Sequence, residues 1–562
     1  MQGVSVTRAG EGSPAPATIE AGRLRLQLDP VALRFDLADT QSGLALIGLA
    51  PHVEVRALSD PRDAAARDAG AGARGPARWL AIGDIKAAAG PALRVELQAR
   101  LAGGLGLRWT LEVPAAGTAV IAAVALENRG AGPVRIHALS PLTFTCAPEG
   151  PELASVVAPP SLESLPVRVL RAPATCLAVG FTTALHGDGR VEIAGAGPRR
   201  GFRLESLAQP ITLPPGATLE SERAWLGVGE DETALLVEWA RRAAAEMDAR
   251  VPFEPDGTPS GPRGTGWTRI AAASRPELAS ASAHARSTGG AYVAWTTARP
   301  TLCGVGLVDA LALPSAPGPV WVSRALDLAF TGRRLWLLDP GAALHPGAAA
   351  PTEAERTRLC ICALLGGALH VEVDPARLDP ERARWLELVT PPLGRGSHAR
   401  PVAGGRALVT PLPGGRTIVL LVNESNETTP IGVTFAELGL KGCHHVFDFW
   451  AAQDCGLRDD EVAASRLPAG GSRLLALTPV ADRPTVIGTT LHLGMGALEV
   501  SALRSDGAGA LSLVLRLPGR RRGAAWIAVP GELESRRIEV ELDGALTVAV
   551  PAPGARDEGA SC

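Results

Sequence analysis

The sequence predicts a multidomain, mostly β protein: an antiparallel sandwich, a stretch of mixed β and α, and a second antiparallel sandwich. Three observations predict it. Short alternating apolar and polar runs, broken by Gly, Pro and Asp, fill residues 20–225. Between 264 and 392 strand-like runs alternate with helical ones, the pattern of βα units. After Pro391-Pro392 the alternation returns and holds to Val550. On this reading residues 1–250 form the first sandwich with a linking helix, 264–392 the βα stretch and 393–553 the second sandwich region. Residues 554–562 read as a disordered tail.

In the first stretch, Arg23-Leu24-Arg25-Leu26-Gln27-Leu28 alternates cleanly, and Asp188-Gly189 reads as a hairpin turn ahead of Arg190-Val191-Glu192-Ile193. Pro61 to Arg78, rich in Ala, Gly, Arg and Asp, reads as an exposed loop. Leu236, Trp239, Ala240, Ala243 and Met247 then recur at helical spacing between Glu230 and Ala249, as core packing requires. The Pro- and Gly-rich 252–264 makes a linker. Beyond it, strands are expected at 291–295, 305–313 and 368–373. Thr352 with Glu355 forms a capping box that starts a helix ending at Gly366-Gly367, and Asp379-Pro380 starts another. Near the end, Ile538 to Leu542, Asp543-Gly544 and Leu546 to Val548 read as a strand, a turn and a strand.

Composition excludes several classes. With 562 residues, 46% hydrophobic, 20% charged and a net charge of −3, the chain is globular, spans three to four domains by length, and has no nucleic-acid partner. It has no apolar run of about 18 residues, so no membrane partner is expected. The first twenty residues lack the charged and apolar regions of a secretory signal, which predicts a cytoplasmic location. Eight cysteines without C-x-x-C read as reduced thiols. Cys360 and Cys362 face different directions on a helix, and His444 and His445, following Cys443, face opposite sides of a strand, so no metal site is expected. Neither a G-x-S-x-G elbow nor a Walker or dinucleotide loop occurs, and no cofactor is expected. Lysine occurs only at Lys86 and Lys441.

Several strings in succession carry a resemblance. Leu219 to Pro252, LESERAWLGVGEDETALLVEWARRAAAEMDARVP, precedes Gly266-Trp267; then come Gly306 to Trp321, GLVDALALPSAPGPVW, and Trp336 to Pro340, WLLDP. Leu364 to Arg382 with Pro391-Pro392, Phe447-Asp448-Phe449-Trp450 and His492 to Val500, HLGMGALEV, complete the series. In this order they resemble the α-galactosidase (melibiase) family and its raffinose-synthase-like relatives, over most of the chain. The resemblance implies an N-terminal β-supersandwich, a (β/α) TIM-like barrel and a C-terminal antiparallel β-sandwich, acting on an α-galactoside-type carbohydrate.

The implied chemistry is retaining hydrolysis, which needs two carboxyl groups about 5–5.5 Å apart, one attacking the anomeric carbon and one protonating the leaving oxygen. The family's nucleophile is an Asp in K-x-D, and with lysines only at 86 and 441 no such motif exists in 264–392. Its acid/base Asp falls at Ala316, the preceding Arg at Ala312, and the second Asp of its D-P-D at Gly341; its D-D-G-W has no counterpart. No catalytic residue is therefore assigned. The stretch 264–392 offers about 130 residues where a barrel takes roughly 200–250. It therefore reads as truncated, with room for about four or five strands and the missing part between Trp267 and Tyr292. An unclosed sheet leaves edges that a sandwich, or a second copy in a homo-oligomer, must cover.

Trp267, Cys303, Gly304, Asp309, Trp321 and Asp339 stand where the family meets or supports its sugar, and are the substrate-binding candidates. Trp267 would stack on a sugar face and Asp339 accept from hydroxyls, against core packing and a turn before Pro340 respectively. The expected function is thus a catalytically degenerate glycoside hydrolase homologue, a pseudoenzyme left with carbohydrate binding or scaffolding. The competing reading is an active α-galactosidase-type hydrolase using other carboxylates, with Glu372 and Asp374 as partners for Asp339. A third is an internal segment lost from the reading frame.

Overall fold

Alternation places Leu24, Leu26 and Leu28 on one face of the strand Leu24–Asp29 and Arg25 and Gln27 on the other, and the leucines are fully buried. Each such side chain stabilises the fold by about 1.5–3 kcal/mol. The same rule repeats along both sheets of the first sandwich. The computed structural model describes residues 4–550 apart from 9–15, 58–66, 69–77, 148–150, 156–162, 196–199, 208, 250–266, 273, 289–291, 298, 314–318, 340–341, 345–349, 368–369, 372–376, 392, 394 and 506–509. The tail at 554–562, Ala316, Gly341, Glu372, Asp374 and most of the expected loop at 61–78 fall outside the described residues.

Two compact units result, Met1–Arg250 with Gly266–Asp309, and Val251–Thr265 with Ala310–Cys562. The 264–392 stretch contributes to both.

Among the described residues of the first unit, a ten-stranded and a nine-stranded antiparallel sheet enclose one core, to which Leu26, Phe35, Trp109, Leu126 and Val179 all belong. Phe35 and Trp109 come from opposite sheets and meet with ring centroids 5.7 Å apart. Helix α1, Glu232–Glu246, starts at Asp231, whose carboxylate accepts from the N–H groups of Thr233 and Ala234. It buries Leu235, Trp239, Ala240 and Ala243, and Trp239 donates to the carbonyl of Phe181 at 2.8 Å.

Asp188-Gly189 is not a hairpin turn. The strands Thr175–Phe181 and Arg190–Ala194 belong to different sheets, and a Cβ at Gly189 would lie 2.3 Å from the Phe181 ring. Glycine is needed there for close packing. Between Trp267 and Tyr292, where the family's further strands are expected to have been deleted, the chain carries one β-α-β unit: strand Trp267–Ile270, helix α2 at Arg275–Ser287, and strand Tyr292–Thr296 in parallel register with the first. Its Ala- and Ser-rich helix has a weak apolar stripe, so periodicity did not reveal it.

The second unit opens with parallel pairs of very short strands, Ala310–Ala312 with Leu337–Asp339 and Ala342–Leu344 with His370–Val371. Helices α3 (Pro319–Asp327), α4 (Glu353–Leu364) and α5 (Pro380–Val389) intervene. The caps read from the sequence hold: Thr352 accepts from Glu355 N–H at 3.2 Å, and Asp379 from Glu381 and Arg382. Of the expected strand 305–313 only 310–312 forms a strand; Leu302–Gly304 is a 3-10 turn and 305–307 continue as a turn. Residues 267–371 thus hold six described strands of two to five residues, more than length alone suggested, because each is so short.

A C-terminal antiparallel sandwich follows. A six-stranded sheet and the pair Thr429–Thr434 with Glu461–Leu467 enclose Val409, Leu421, Phe435 and Val462, and a further four-stranded sheet has its own core around Leu513, Leu515 and Val540. Asp543-Gly544 is again no hairpin turn but part of one strand, Arg536–Val550, where a register shift between Leu517 and Arg520 of the partner strand absorbs the Gly544 φ of 75°. The fold is multidomain and mostly β, as the sequence predicts. Among the described residues no helix is long and apolar enough to cross a membrane.

Candidate functional site

In the first unit, Thr301 ends an extended stretch and caps the turn Leu302–Gly304. This brings Cys303 inward, almost wholly buried, with the Thr301 hydroxyl 3.0 Å from its sulfur. Burial pushes the thiol up to about 11, and the nearby Asp188 charge adds to that while Thr301 and Arg275 oppose it. Arg275, at the start of α2, donates to the carbonyls of Cys303 at 2.9 Å and Val305 at 3.1 Å. Loss of hydration lowers its basicity, and the charges of Glu222 and Asp188 work against this.

Two carboxylates face this guanidinium. Asp188 is exposed as a residue, yet its carboxyl is bonded by Thr301 and the Cys303 N–H; desolvation lifts it above the usual range, and the Glu222 charge lifts it further. Glu222 is fully buried: Oε1 accepts from the His186 N–H at 2.5 Å, and Oε2 has no hydrogen-bond partner among the described residues. Sequence reading missed Asp188, Glu222 and Arg275. They come from three separated segments, and no local spacing marks them.

Gly304 adjoins Cys303 and packs on Trp295. Asp309 is held differently: its Oδ2 accepts from Arg286 of α2 at 2.7 Å and from the Val293 N–H at 2.8 Å. It locks helix to strand. Trp267 opens its strand opposite Tyr292 in the register.

The other two candidates lie in the second unit. Trp321 of α3 is buried, with the Arg358 guanidinium 4.9 Å from its ring centroid, so the face is occupied by a cation and not open to a sugar. Asp339 ends the strand Leu337–Asp339, is buried, and its carbonyl accepts from Leu313 N–H at 2.8 Å. Gly367 covers the preceding residue so closely that a Cβ would fall 1.8 Å from the Leu338 oxygen. Cys362, one turn beyond Arg358, feels both Arg358 and Asp339, and burial pushes its thiol up to about 12. The structure thus gathers Cys303 and Gly304 with Asp188, Glu222 and Arg275 in one unit, and arranges Trp321 and Asp339 around α4 in the other. Among the described residues no group of three or more His, Cys, Asp or Glu could hold a metal ion.

Residues 404–477 match the alpha galactosidase C-terminal beta sandwich domain. In fold the chain is similar to the GH36 alpha-galactosidase AgaB of Geobacillus stearothermophilus, at 9% identity and a TM-score of 0.52, over 85% of this chain and 100% of that one. The galactosidase domain of the alpha-galactosidase-sucrose kinase AgaSK gives 0.45 at 9% identity, over 83% and 99%. The GH27 β-L-arabinopyranosidase of G. stearothermophilus gives 0.34 at 13% identity, and the chain, over 39% of its own length, spans only 59% of that protein. No curated protein sequence matches. The chain is α-galactosidase-like in fold and in its C-terminal sandwich.

Proposed function

We propose that this α-galactosidase-like chain is a glycoside hydrolase homologue that no longer hydrolyses α-galactosides and keeps a carbohydrate-binding or scaffolding role, in the cytoplasm. The observation that carries the proposal is the absence of K-x-D from 264–392, with lysines only at 86 and 441. Double displacement needs a carboxylate free to attack and a second free to protonate. Several carboxylates of the βα stretch are instead committed: Asp309 to Arg286, Asp327 to Arg406, and Glu355 and Asp379 to Arg382. Asp188 and Glu222 interact electrostatically, but Glu222 is fully buried, which keeps a sugar from reaching both.

Hydrolysis of p-nitrophenyl α-galactoside tests this. The expected result is release of nitrophenol no faster than in buffer. Turnover that is abolished by Asp188→Asn, Asp339→Asn or Asp374→Asn would overturn it and establish the alternative, an active α-galactosidase-type O-glycosyl hydrolase using carboxylates that the family motifs do not mark.

A further inference from the structure

The long strand Arg536–Val550 lies at the edge of the last sheet. Its hairpin partner, Leu511–Ala528, is paired on both sides: Leu513 stands between Leu503 and Val548 in the register, and Leu515 between Val500 and Leu546. Arg536–Val550 pairs, among the described residues, with that strand alone. The far side of 537–550 therefore carries unpaired backbone N–H and C=O groups.

The two halves of this edge differ. Over 536–543 the residues on the solvent side are all charged: Arg537, Glu539, Glu541 and Asp543 are exposed, Arg537 paired with Glu539 and Glu541 with Arg520 of the neighbouring strand. Charges of this kind keep an edge from pairing with another chain. Over 544–550 the sequence GALTVAV has none. Ala545, Thr547 and Ala549 are exposed, and Leu546 and Val548 are only partly covered by the core around Leu513 and Val540. Gly544, at a φ of 75°, and the adjoining register shift bend the strand where the charges stop. The uncharged half is thus a separate segment with an open edge.

This segment is complementary to itself. Laid antiparallel on a second copy with Thr547 on the twofold axis, Thr547 faces Thr547, Ala545 faces Ala549, Leu546 faces Val548 and Gly544 faces Val550. Small residues meet on one face of the sheet and apolar ones on the other, and no charge opposes a charge. Moving the axis to Val548 brings Pro551, which has no N–H, into the ladder opposite Ala545. Moving it to Leu546 draws the bend at Gly544 and the charge of Asp543 into the pairing. The segment after Val550, PAPGARDEGASC, has two prolines and no β-branched or aromatic residue, a poor composition for a strand that would fill the edge.

We propose that the edge at 544–550 joins two copies of this chain in a twofold antiparallel strand pair centred on Thr547. Seven opposed residues per copy make a small interface, under the roughly 800 Å² per partner of a standard complex, so the dimer forms at micromolar and not at nanomolar concentration. This contact is independent of the galactoside reading of the βα stretch.

Sedimentation equilibrium of the full chain tests it, with the dimer expected to grow from low to high micromolar concentration. Thr547→Arg sets two like charges together on the axis and should abolish the dimer at unchanged melting temperature, since Thr547 is exposed. Thr547→Cys should crosslink the copies under copper-phenanthroline oxidation, because opposed Cα atoms of an antiparallel pair stand about 4.5 or 5.5 Å apart, within reach of a disulfide. Glu539→Cys, equally outward on the charged half, should give no such bridge, and peptide mass mapping locates whichever forms. A monomer at every concentration, a dimer that survives Thr547→Arg, or a bridge at Glu539→Cys as readily as at Thr547→Cys would each overturn the proposal. So would a dimer that appears only after residues 554–562 are removed, which would assign the edge to the chain's own end.

Discussion

The backbone of Gly304 rests against the indole of Trp295, so closely that a methyl group there would lie 2.6 Å from ring atom Cε3. Gly304→Ala must therefore displace Trp295, which is buried and donates to the Ala272 carbonyl at 3.2 Å. Overpacking of this kind costs about 1–3 kcal/mol. Thermal unfolding followed by circular dichroism should show a lower melting temperature; a variant as stable as the parent would refute the contact.

The Arg286–Asp309 pair holds α2 to its neighbouring strand. Asp309→Ala leaves Arg286 without its carboxylate and the buried Val293 N–H without its acceptor, at a cost of about 2–4 kcal/mol. Asp309→Asn keeps an acceptor and should cost less. Urea titration of the two variants checks the order; the reverse order would mean that Asp309 has another task.

Cysteine reactivity should separate by burial. Cys443 is exposed, whereas Cys303 is buried with its thiol pushed up to about 11. Since the thiolate is the nucleophile, iodoacetamide at neutral pH should modify Cys443 in the folded protein and leave Cys303 untouched until denaturant is added. Peptide mass mapping reads both sites. Native labelling of Cys303 would contradict the arrangement around Arg275 and Asp188.

His492 links the C-terminal sandwich to the end of α5. Its Nε2 lies 2.8 Å from the Pro391 carbonyl, and its Nδ1 accepts from the Gly494 N–H at 2.9 Å, an arrangement that requires the neutral ring. Burial lowers its pKa below 6.5, and Arg521 adds to this against Glu499 and the Pro391 bond. The unfolded chain therefore takes up the proton first as acid is added. The stabilisation is complete above about pH 6.5 and declines as pH falls from there toward the folded value. The urea midpoint should drop between roughly pH 7 and pH 5, and His492→Gln should flatten that drop. An equal drop in the variant would assign the pH dependence to other groups.

Much of this was legible in the chain itself. Alternation at Leu24, Leu26 and Leu28, helical spacing around Trp239, and the caps at Thr352 and Asp379 are local signals with local causes, and the structure follows each. Turn chemistry was less dependable. Asp188-Gly189 and Asp543-Gly544 carry the residues of a hairpin turn, yet one glycine makes room for the Phe181 ring and the other sits at an irregularity within a long strand. A dipeptide states which φ it permits, not what lies against it.

By itself the sequence determined the β-αβ-β order and the resemblance to α-galactosidases, because these depend on residue identity along one dimension. Only the tertiary structure decided that Asp188 and Arg275 lie beside Cys303, that the Glu222 charge acts on both of them, and that Arg358 occupies the face of Trp321. Electrostatic and steric interactions fall off over a few ångströms of space, and residues more than a hundred positions apart become neighbours only when strand pairing and helix packing bring them there.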